Sequence, residues 1–323
     1  MDSRNRDSCP VCGELKVEDL FPVTITSSEF RLVRCENCYL TRIFPFPTTS
    51  NFTVNEIPDY YGIGVSKFLP VLQKIRNRIA RSRAKYYLSF IPGSIQRPKV
   101  LDVGCAEGRL LNALFGLACE CWGIEHPSYP SGRFLHPEQI NYWQGDLCTF
   151  PVQDGYYDLI FLWHVLEHLD DPKLVIARLY RLLGPGGTLI LAVPNFSSLE
   201  SRKFKGAWFH LDIPWHRYHF DRRSLGYLLD KNQFKIIRES SFCFEQGPYG
   251  FLQSILNAMG WKMNELYDVL KGGKKEGRAI HLGLQLLIAI TLCLPVTFAS
   301  FLSAKQGRGS VLKLIIKKVI PQE

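Results

Sequence analysis

Four cysteines fall into two C-x-x-C pairs, Cys9-Pro-Val-Cys12 and Cys35-Glu-Asn-Cys38, with 22 residues between the pairs. Four thiolates at this spacing can close a tetrahedral Zn2+ site. With every position filled by protein, such a site holds structure rather than a reactive water. A second set of candidates is acidic: Asp102, Glu125 and Asp146 each stand at or just past the end of a short apolar run. Open α/β sheets bind ligands at the carboxyl ends of their strands. A third set is histidine-rich: His164-Val-Leu-Glu167-His168, and His210-Leu-Asp-Ile-Pro-Trp-His216-Arg-Tyr-His219. Histidine titrates near neutral pH and is the natural general base of an uncharged pocket.

These residues need elements to position them. Val100 to Val103 is an apolar run, followed by a turn holding Gly104 and Gly108, then by apolar residues at Leu110, Leu111, Leu114 and Phe115. The switch from strand to helical period predicts a buried strand, a glycine turn and a helix. Gly104 allows close backbone approach, and the helix N-terminus offers unpaired N–H groups. Further strands are expected at 121–125, 140–143, 157–163, 188–193, 234–244 and 311–317, and an amphipathic helix at 172–183. Strands alternating with helices imply a mostly parallel sheet. In the cysteine region, Phe21 to Thr26 and Phe30 to Val33 read as short strands. Residues 44–66 read as a linker containing Asp59-Tyr-Tyr61, and Phe68 to Phe90 as a strongly basic helix. That helix either packs on the main domain with its charges in water or faces an anionic surface.

A dinucleotide fold requires G-x-G-x-x-G. Glu125 stands at a suitable distance for that reading, but Gly104 and Gly108 have three residues between them and no G-x-G is present. The pattern Asp102-x-Gly-x-x-x-Gly108 resembles instead the first motif of Rossmann-like methyltransferases that use S-adenosyl-L-methionine (SAM). Trp163-His-Val-Leu-Glu-His-Leu-Asp-Asp-Pro172 and Leu182-Leu-Gly-Pro-Gly-Gly-Thr-Leu-Ile190 resemble later motifs of the same superfamily. The nearest likeness is to its small-molecule enzymes with an N-terminal zinc ribbon, over roughly residues 9–245 plus the last strand. The resemblance implies an α/β fold with a seven-stranded, mostly parallel sheet whose last strand is antiparallel. It implies SAM as methyl donor, with Asp102, Gly104, Cys105 and Gly108 at the methionine end and Glu125 on the ribose hydroxyls. Asp146 with Leu147 would meet the adenine, and Trp163 and His164 would lie near the sulfonium and the acceptor.

His216 or His219 is expected to serve as base or acceptor-orienting group, with His164 a third candidate. On a helix, His164 and His168 would share a face, which invites a metal reading. A pocket wall with Glu167 and His168 fixing the loop is preferred.

Between residues 247 and 309 lies an insertion far longer than a hairpin loop. Ala279 to Ala304 has no formal charge apart from any on His281, which raises a membrane span. A single crossing would strand the seventh strand on the far side. Basic residues also flank both ends (Lys271, Lys274, Lys275 and Arg278 before; Lys305 and Arg308 after), which puts both ends on the cytoplasmic side. Pro295 divides the run, so an in-plane or re-entrant hairpin is expected, with a buried helical cap as the alternative.

The domains expected are 1–45, a zinc ribbon; 46–92, linker and basic helix; 93–246 plus 310–323, the methyltransferase domain; and 247–309, the hydrophobic insertion. Lys plus Arg number 39 against 30 acids, a net charge of +9. That excess admits an anionic membrane or nucleic acid, but the mixed charges of the ribbon disfavour nucleic acid. No apolar leader follows Met1, and ten cysteines, six of them in core-like runs, suit a reducing cytoplasm. The expectation is a cytoplasmic enzyme, peripheral or monotopic on a membrane, that O-methylates a small molecule such as a glycan or lipid-linked intermediate. Two alternatives stand beside it: a sugar C-methyltransferase and a non-catalytic zinc-ribbon adaptor.

Overall fold

The computed structural model describes residues 7–25, 28–45, 70–127, 137–270 and 279–319. Beyond Phe44, which ends a strand, and Pro45, the expected linker lies outside the described residues, as do the stretch from His126 to His136 beyond its first two residues and Lys271 to Arg278. The chain divides into two compact units. One comprises Met1–Lys67, Val193–Leu225 and Ser240–Lys313; the other comprises Phe68–Ala192, Gly226–Glu239 and Leu314–Glu323.

Most of the expected sheet falls in the second unit; residues 193–194, 240 and 311–313 of its strands fall in the first. Its strands are β4 (Lys99–Val103), β5 (Glu120–Glu125), β6 (Asn141–Gln144), β7 (Tyr157–Trp163), β8 (Leu183–Pro194), β10 (Phe234–Ser240) and β11 (Val311–Lys318), in the order β10-β11-β8-β7-β4-β5-β6. The sheet is mostly parallel with the last strand antiparallel. β4 and β7 are apolar along nearly their whole length because both faces are covered; Val100, Leu101, Leu159, Ile160 and Phe161 are fully buried. In register, Asp102 stands opposite Gly123 of β5 and Phe161 of β7. Gly123 is required there: a Cβ would fall 2.7 Å from Leu111 of helix α2 (Arg109–Phe115) and 2.9 Å from the Cys105 sulfur. Helix α3 (Pro172–Leu182) starts at an Asp171 cap, whose carboxylate accepts from Leu174 N, and buries Val175, Ile176, Leu179 and Leu182.

The basic helix α1 (Pro70–Leu88) belongs to this unit. It buries Ala80, Ala84 and Tyr87, and Tyr87 meets the Phe161 ring edge-on at 5.7 Å. Its basic residues fall mostly on the opposite, solvated side, as the plainer of its two sequence readings has it.

The first unit holds the cysteine pairs on an antiparallel sheet of β1 (Val17–Ile25), β2 (Ser28–Cys35), β3 (Thr41–Phe44) and β9 (Tyr218–His219). β9 is absent from the sequence reading. Thr41 pairs with His219 and Arg42 with Tyr218, across a sequence distance that no local pattern signals.

Helix α4 (Leu199–Phe204) follows β8, and the insertion contains α6 (Gly247–Ala258), α7 (Glu265–Leu270) and α8 (Ala279–Lys305). The expected break at Pro295 is corrected by the structure, in which α8 runs unbroken through it. An interior proline removes one backbone hydrogen bond. Packing across that point holds the helix, with Val296 buried against Phe251 and Leu252 of α6 and Ala299 and Leu292 beside it.

Candidate active site

The glycine turn after β4 wraps around the end of β5. Gly104 has φ +75°, and a Cβ there would lie 2.3 Å from Val165 Cγ2, so only glycine fits. Its N–H donates to Ile124 O at 2.8 Å. Ala106, at φ +47°, donates its N–H to Glu125 Oε2 at 2.7 Å, and His126 N donates to Oε1 at 2.8 Å. Two backbone donors therefore fix the Glu125 carboxylate, and the remaining lone pairs of its two oxygens can accept two further hydroxyls. Burial pushes its pKa up.

Asp102 is buried and accepts no hydrogen bond among the described residues. Its carboxyl is pushed up from 3.8 to about 7, first by desolvation and then by the charge of Glu125, while Arg83 of α1 opposes the rise. A cation placed beside Asp102 would return it to the ionised state. Cys105 is buried next to it, and its thiol is driven upward by desolvation. Gly108 takes φ +69° at the start of α2, whose seven residues make only a short dipole. Asp146 Oδ1 caps a single 3-10 turn (Leu147–Thr149) by accepting from Cys148 N at 2.6 Å, and Leu147 is buried beneath it. These residues sit on the ends of neighbouring strands and on the loops that follow them. Together they fit a ligand that carries positive charge at one end and a diol and an apolar ring further along.

At the end of β7, Trp163 is covered by the Arg83 guanidinium, 4.0 Å above its ring, and by Tyr87 at 6.1 Å. Arg83 and Tyr87 are one turn apart on α1. That i, i+4 spacing was the available signal for a residue the sequence reading left among solvated charges. His164 takes φ +55° and is followed by a 3-10 turn (Leu166–His168). The α-helical geometry that would align His164 with His168 is therefore absent. His164 Nδ1 lies 3.1 Å from Glu167 Oε1, and Glu167 is buried. The opposite ring nitrogen, Nε2, is buried without a hydrogen-bond partner among the described residues. One imidazole nitrogen is thus fixed by a carboxylate, and the other has no hydrogen-bond partner among the described residues.

His216 and His219, in the other unit, are both buried, with ring centroids 6.3 Å apart. His216 Nδ1 donates to His210 O at 2.8 Å, and its Nε2 lies 3.8 Å from Asp212 Oδ2. His219 is held by its backbone in β9. Asp221 caps α5 (Arg222–Asp230), accepting from Arg223 N at 3.0 Å and Ser224 N at 2.9 Å.

The sulfurs of Cys9, Cys12, Cys35 and Cys38 all lie within 4.8 Å of one another. A tetrahedron with Zn–S arms of about 2.3 Å has edges of about 3.8 Å, so the four fit one Zn2+. A hydrogen bond from Cys38 draws the Cys9 thiol down to about 5, while burial lifts Cys35 to about 11.

A family model described as a methyltransferase domain matches residues 72–239. Among curated proteins, a ubiquinone biosynthesis O-methyltransferase of Xanthomonas campestris is 30% identical over 166 residues, 47% of this chain and 65% of that protein. One of the same name from Acinetobacter baumannii is 30% identical over 111 residues, covering 32% and 46%. The chain thus spans less than two thirds of the length of the curated relatives it matches. A solved SAM-dependent methyltransferase of Archaeoglobus fulgidus superposes with a TM-score of 0.45 at 18% identity, over 75% of this chain and 94% of that one.

Proposed function

This chain belongs to the methyltransferase-domain family, and from that premise we propose that it transfers a methyl group from SAM to an oxygen of a small-molecule acceptor. The observation that carries this reading is the pairing of Asp102 and Glu125 on adjacent strands around the Gly104 turn. Bound there, SAM would supply an electrophilic methyl on a positively charged sulfur. Asp102, at the methionine end with Cys105 and Gly108, balances that end's positive charge, and its own ionisation is favoured in return. Glu125 accepts from the ribose hydroxyls, and Asp146 with Leu147 takes the adenine edge and face. Trp163, clamped by Arg83, forms a rigid wall at the end of β7. Methyl transfer is an in-line displacement, so holding the two reactants in line supplies much of the rate.

The acceptor hydroxyl must lose a proton as its oxygen bonds to carbon. His164 Nε2 takes that proton, and Glu167 steadies the resulting imidazolium through Nδ1. This role goes to His164 ahead of His216 and His219, because its buried, unpartnered nitrogen stands in the same unit and at the same strand ends as the cofactor residues. Oxygen is favoured as the acceptor atom by the O-methyltransferase names of the relatives. A glycan or lipid-linked acceptor is favoured by the apolar insertion at 247–309. The cysteine cluster binds one structural Zn2+, which ties residues 1–45 together.

Calorimetric titration of the full chain with SAM tests the cofactor site. Micromolar binding is expected, with at least a hundredfold loss in both Asp102→Ala and Glu125→Ala; equal binding by wild type and variants overturns the reading. For the base, His164→Asn and Glu167→Gln should bind SAM normally. They should lower kcat about 10²–10⁴-fold and about tenfold respectively. Normal turnover by His164→Asn would transfer the role to His216 or His219.

A further inference from the structure

We propose that α8 is an in-plane membrane anchor: its uncovered face beds into the headgroup–acyl boundary of an anionic bilayer, while its other edge stays packed on α6. The argument starts from how the helix divides. Leu282, Gln285, Val296, Ser300 and Ser303 are buried, at spacings that keep them along one edge. Ala289, Leu292 and Ala299 fill the gaps of that seam against Phe251, Leu252 and Ile255. The rest of the circumference carries Leu284, Leu287, Ile290, Leu294, Phe298 and Phe301, all exposed. Ile290 is 73% open and Leu294 81%. Only 17% of the most apolar stretch is buried, where the core helix of a water-soluble domain would be mostly buried. Large apolar side chains scattered singly on a surface need no explanation, but a continuous row along a helix of about 40 Å marks a surface made for contact.

Both ends of the helix are tied to the unit it grows from, which rules out a crossing. Gln285 donates to Glu265 of α7 near the start. Ser241 Oγ donates to Ala304 O at 2.9 Å near the end, and Gly309 lies so close to Ser241 that a Cβ there would be 2.0 Å from its carbonyl oxygen. β11 begins at Val311. A crossing would carry the polar seam of Gln285, Ser300 and Ser303, and the polar Gln253 and Asn257 of α6, into hydrocarbon.

The residues at the two ends point to lipid rather than to another protein. At the C-terminal end, Phe242 meets Phe301 at 5.9 Å, the Lys305 ammonium stands 4.6 Å over the Phe301 ring, and Phe244 is 65% exposed. At the other end, the turn after α6 exposes Met259, Lys262 and Met263 around Trp261. Aromatic rings and snorkelling lysines at both ends of an apolar row match the interfacial layer of a membrane. No acidic residue lies between Ala279 and Lys305, and Lys262, Lys305 and Arg308 are exposed near its two ends. The surface therefore complements anionic headgroups. This inference deepens the proposed reading of a lipid-linked acceptor, but its readout does not depend on methyl transfer.

The test is flotation of the full, zinc-loaded chain with vesicles of phosphatidylcholine alone and of phosphatidylcholine with one quarter phosphatidylglycerol. Binding is expected to the mixed vesicles, at least tenfold weaker to the neutral ones. It should fall at least tenfold in the double variant Ile290→Glu, Leu294→Glu and severalfold in Lys305→Glu. SAM affinity, measured in parallel, should be unchanged in both, which separates loss of anchoring from loss of fold and from failure of the methyltransferase reading. An environment-sensitive dye on the exposed Cys293 should shift to the blue on adding mixed vesicles, while one on the exposed Cys148 should not. Failure of wild type to float with either vesicle overturns the proposal. So does a wild-type dimer at micromolar concentration that the double variant splits, since the face would then belong to a second copy of the chain.

Discussion

At the glycine turn, two carboxylates are buried on adjacent strands with Arg83 as the one cation acting on Asp102 among the described residues, and Asp102 rises to about 7. At the cysteine knuckles, four sulfurs crowd within 4.8 Å, and one thiol falls to about 5 at the expense of its partner. Both places gather negative charge for a positive ligand, yet they hold that charge differently. With the proposed Zn2+ in place, the knuckles would close around a point ion from all sides, so that binding and folding of the ribbon would be one event. The turn is braced by its own backbone donors, Ala106 N and His126 N on Glu125, with no ligand needed to hold it. A permanent ion and an exchanging cofactor thus leave different marks on the protein around them.

Breaking the knuckles should have the largest effect. Cys38→Ser, or chelation, is expected to release the metal, which contributes about 10–16 kcal/mol to zinc-finger peptides, and to unfold the ribbon sheet. Metal analysis should find one zinc per wild-type chain and a small fraction of that in the variant. Full retention of zinc by Cys38→Ser would mean the cluster is not the ligand set.

At the turn the opposite is expected: Asp102→Asn should abolish SAM binding yet make the ligand-free protein more stable. The sign follows from the raised pKa. Native Asp102 holds a proton that the unfolded chain releases near its ordinary 3.8, so its favourable contribution is complete below that pH and lost as pH rises to about 7. The asparagine variant lacks this loss. Its stability advantage in denaturant titrations should grow between pH 4 and 7, to at most about 4 kcal/mol, and then level off. SAM affinity of the wild type should rise over the same interval. A pH-independent difference between the two proteins would show that Asp102 is not buried as a lone carboxyl.

The smallest effect on ligand binding is expected at Glu200, whose stability response to pH should match that of Asp102 in size. Burial alone pushes this carboxyl to about 8, and neither oxygen has a partner among the described residues. Glu200→Gln should stabilise the chain by a few kcal/mol at most above pH 8 and leave SAM affinity unchanged, as measured by the same titrations. A loss of SAM binding here would erase the distinction drawn for Asp102, namely that its burial serves a ligand.

Much of this was legible in the sequence where the signal is local. Val100 to Gly108, with its strand-to-helix change of period, led directly to β4, the turn and α2, and the paired spacing of Cys9, Cys12, Cys35 and Cys38 led to the four-sulfur cluster. What escaped was set by tertiary contacts. Pro295 reads as a break because it costs a hydrogen bond, but the seam around Val296 on α6 outweighs that cost. The loop preferred for His164 to His168 is a 3-10 turn in the structure, but the positive φ that turns His164 toward Glu167 has no local signal. Arg83 reads as one charge among many, and only the position of α1 against β7 brings it over Trp163.

Tyr218–His219 is a strand of two residues, yet it completes the sheet whose first three strands end at Phe44. During synthesis the ribosome must therefore add some 170 further residues before the N-terminal sheet can acquire its last edge. The nascent ribbon waits with β3 open, and the sequence separation makes that closure one of the slow steps of folding. A fragment cut after residue 45 would be not a portable module but an interrupted sheet. A histidine considered for catalysis is, by its backbone, the piece that finishes it.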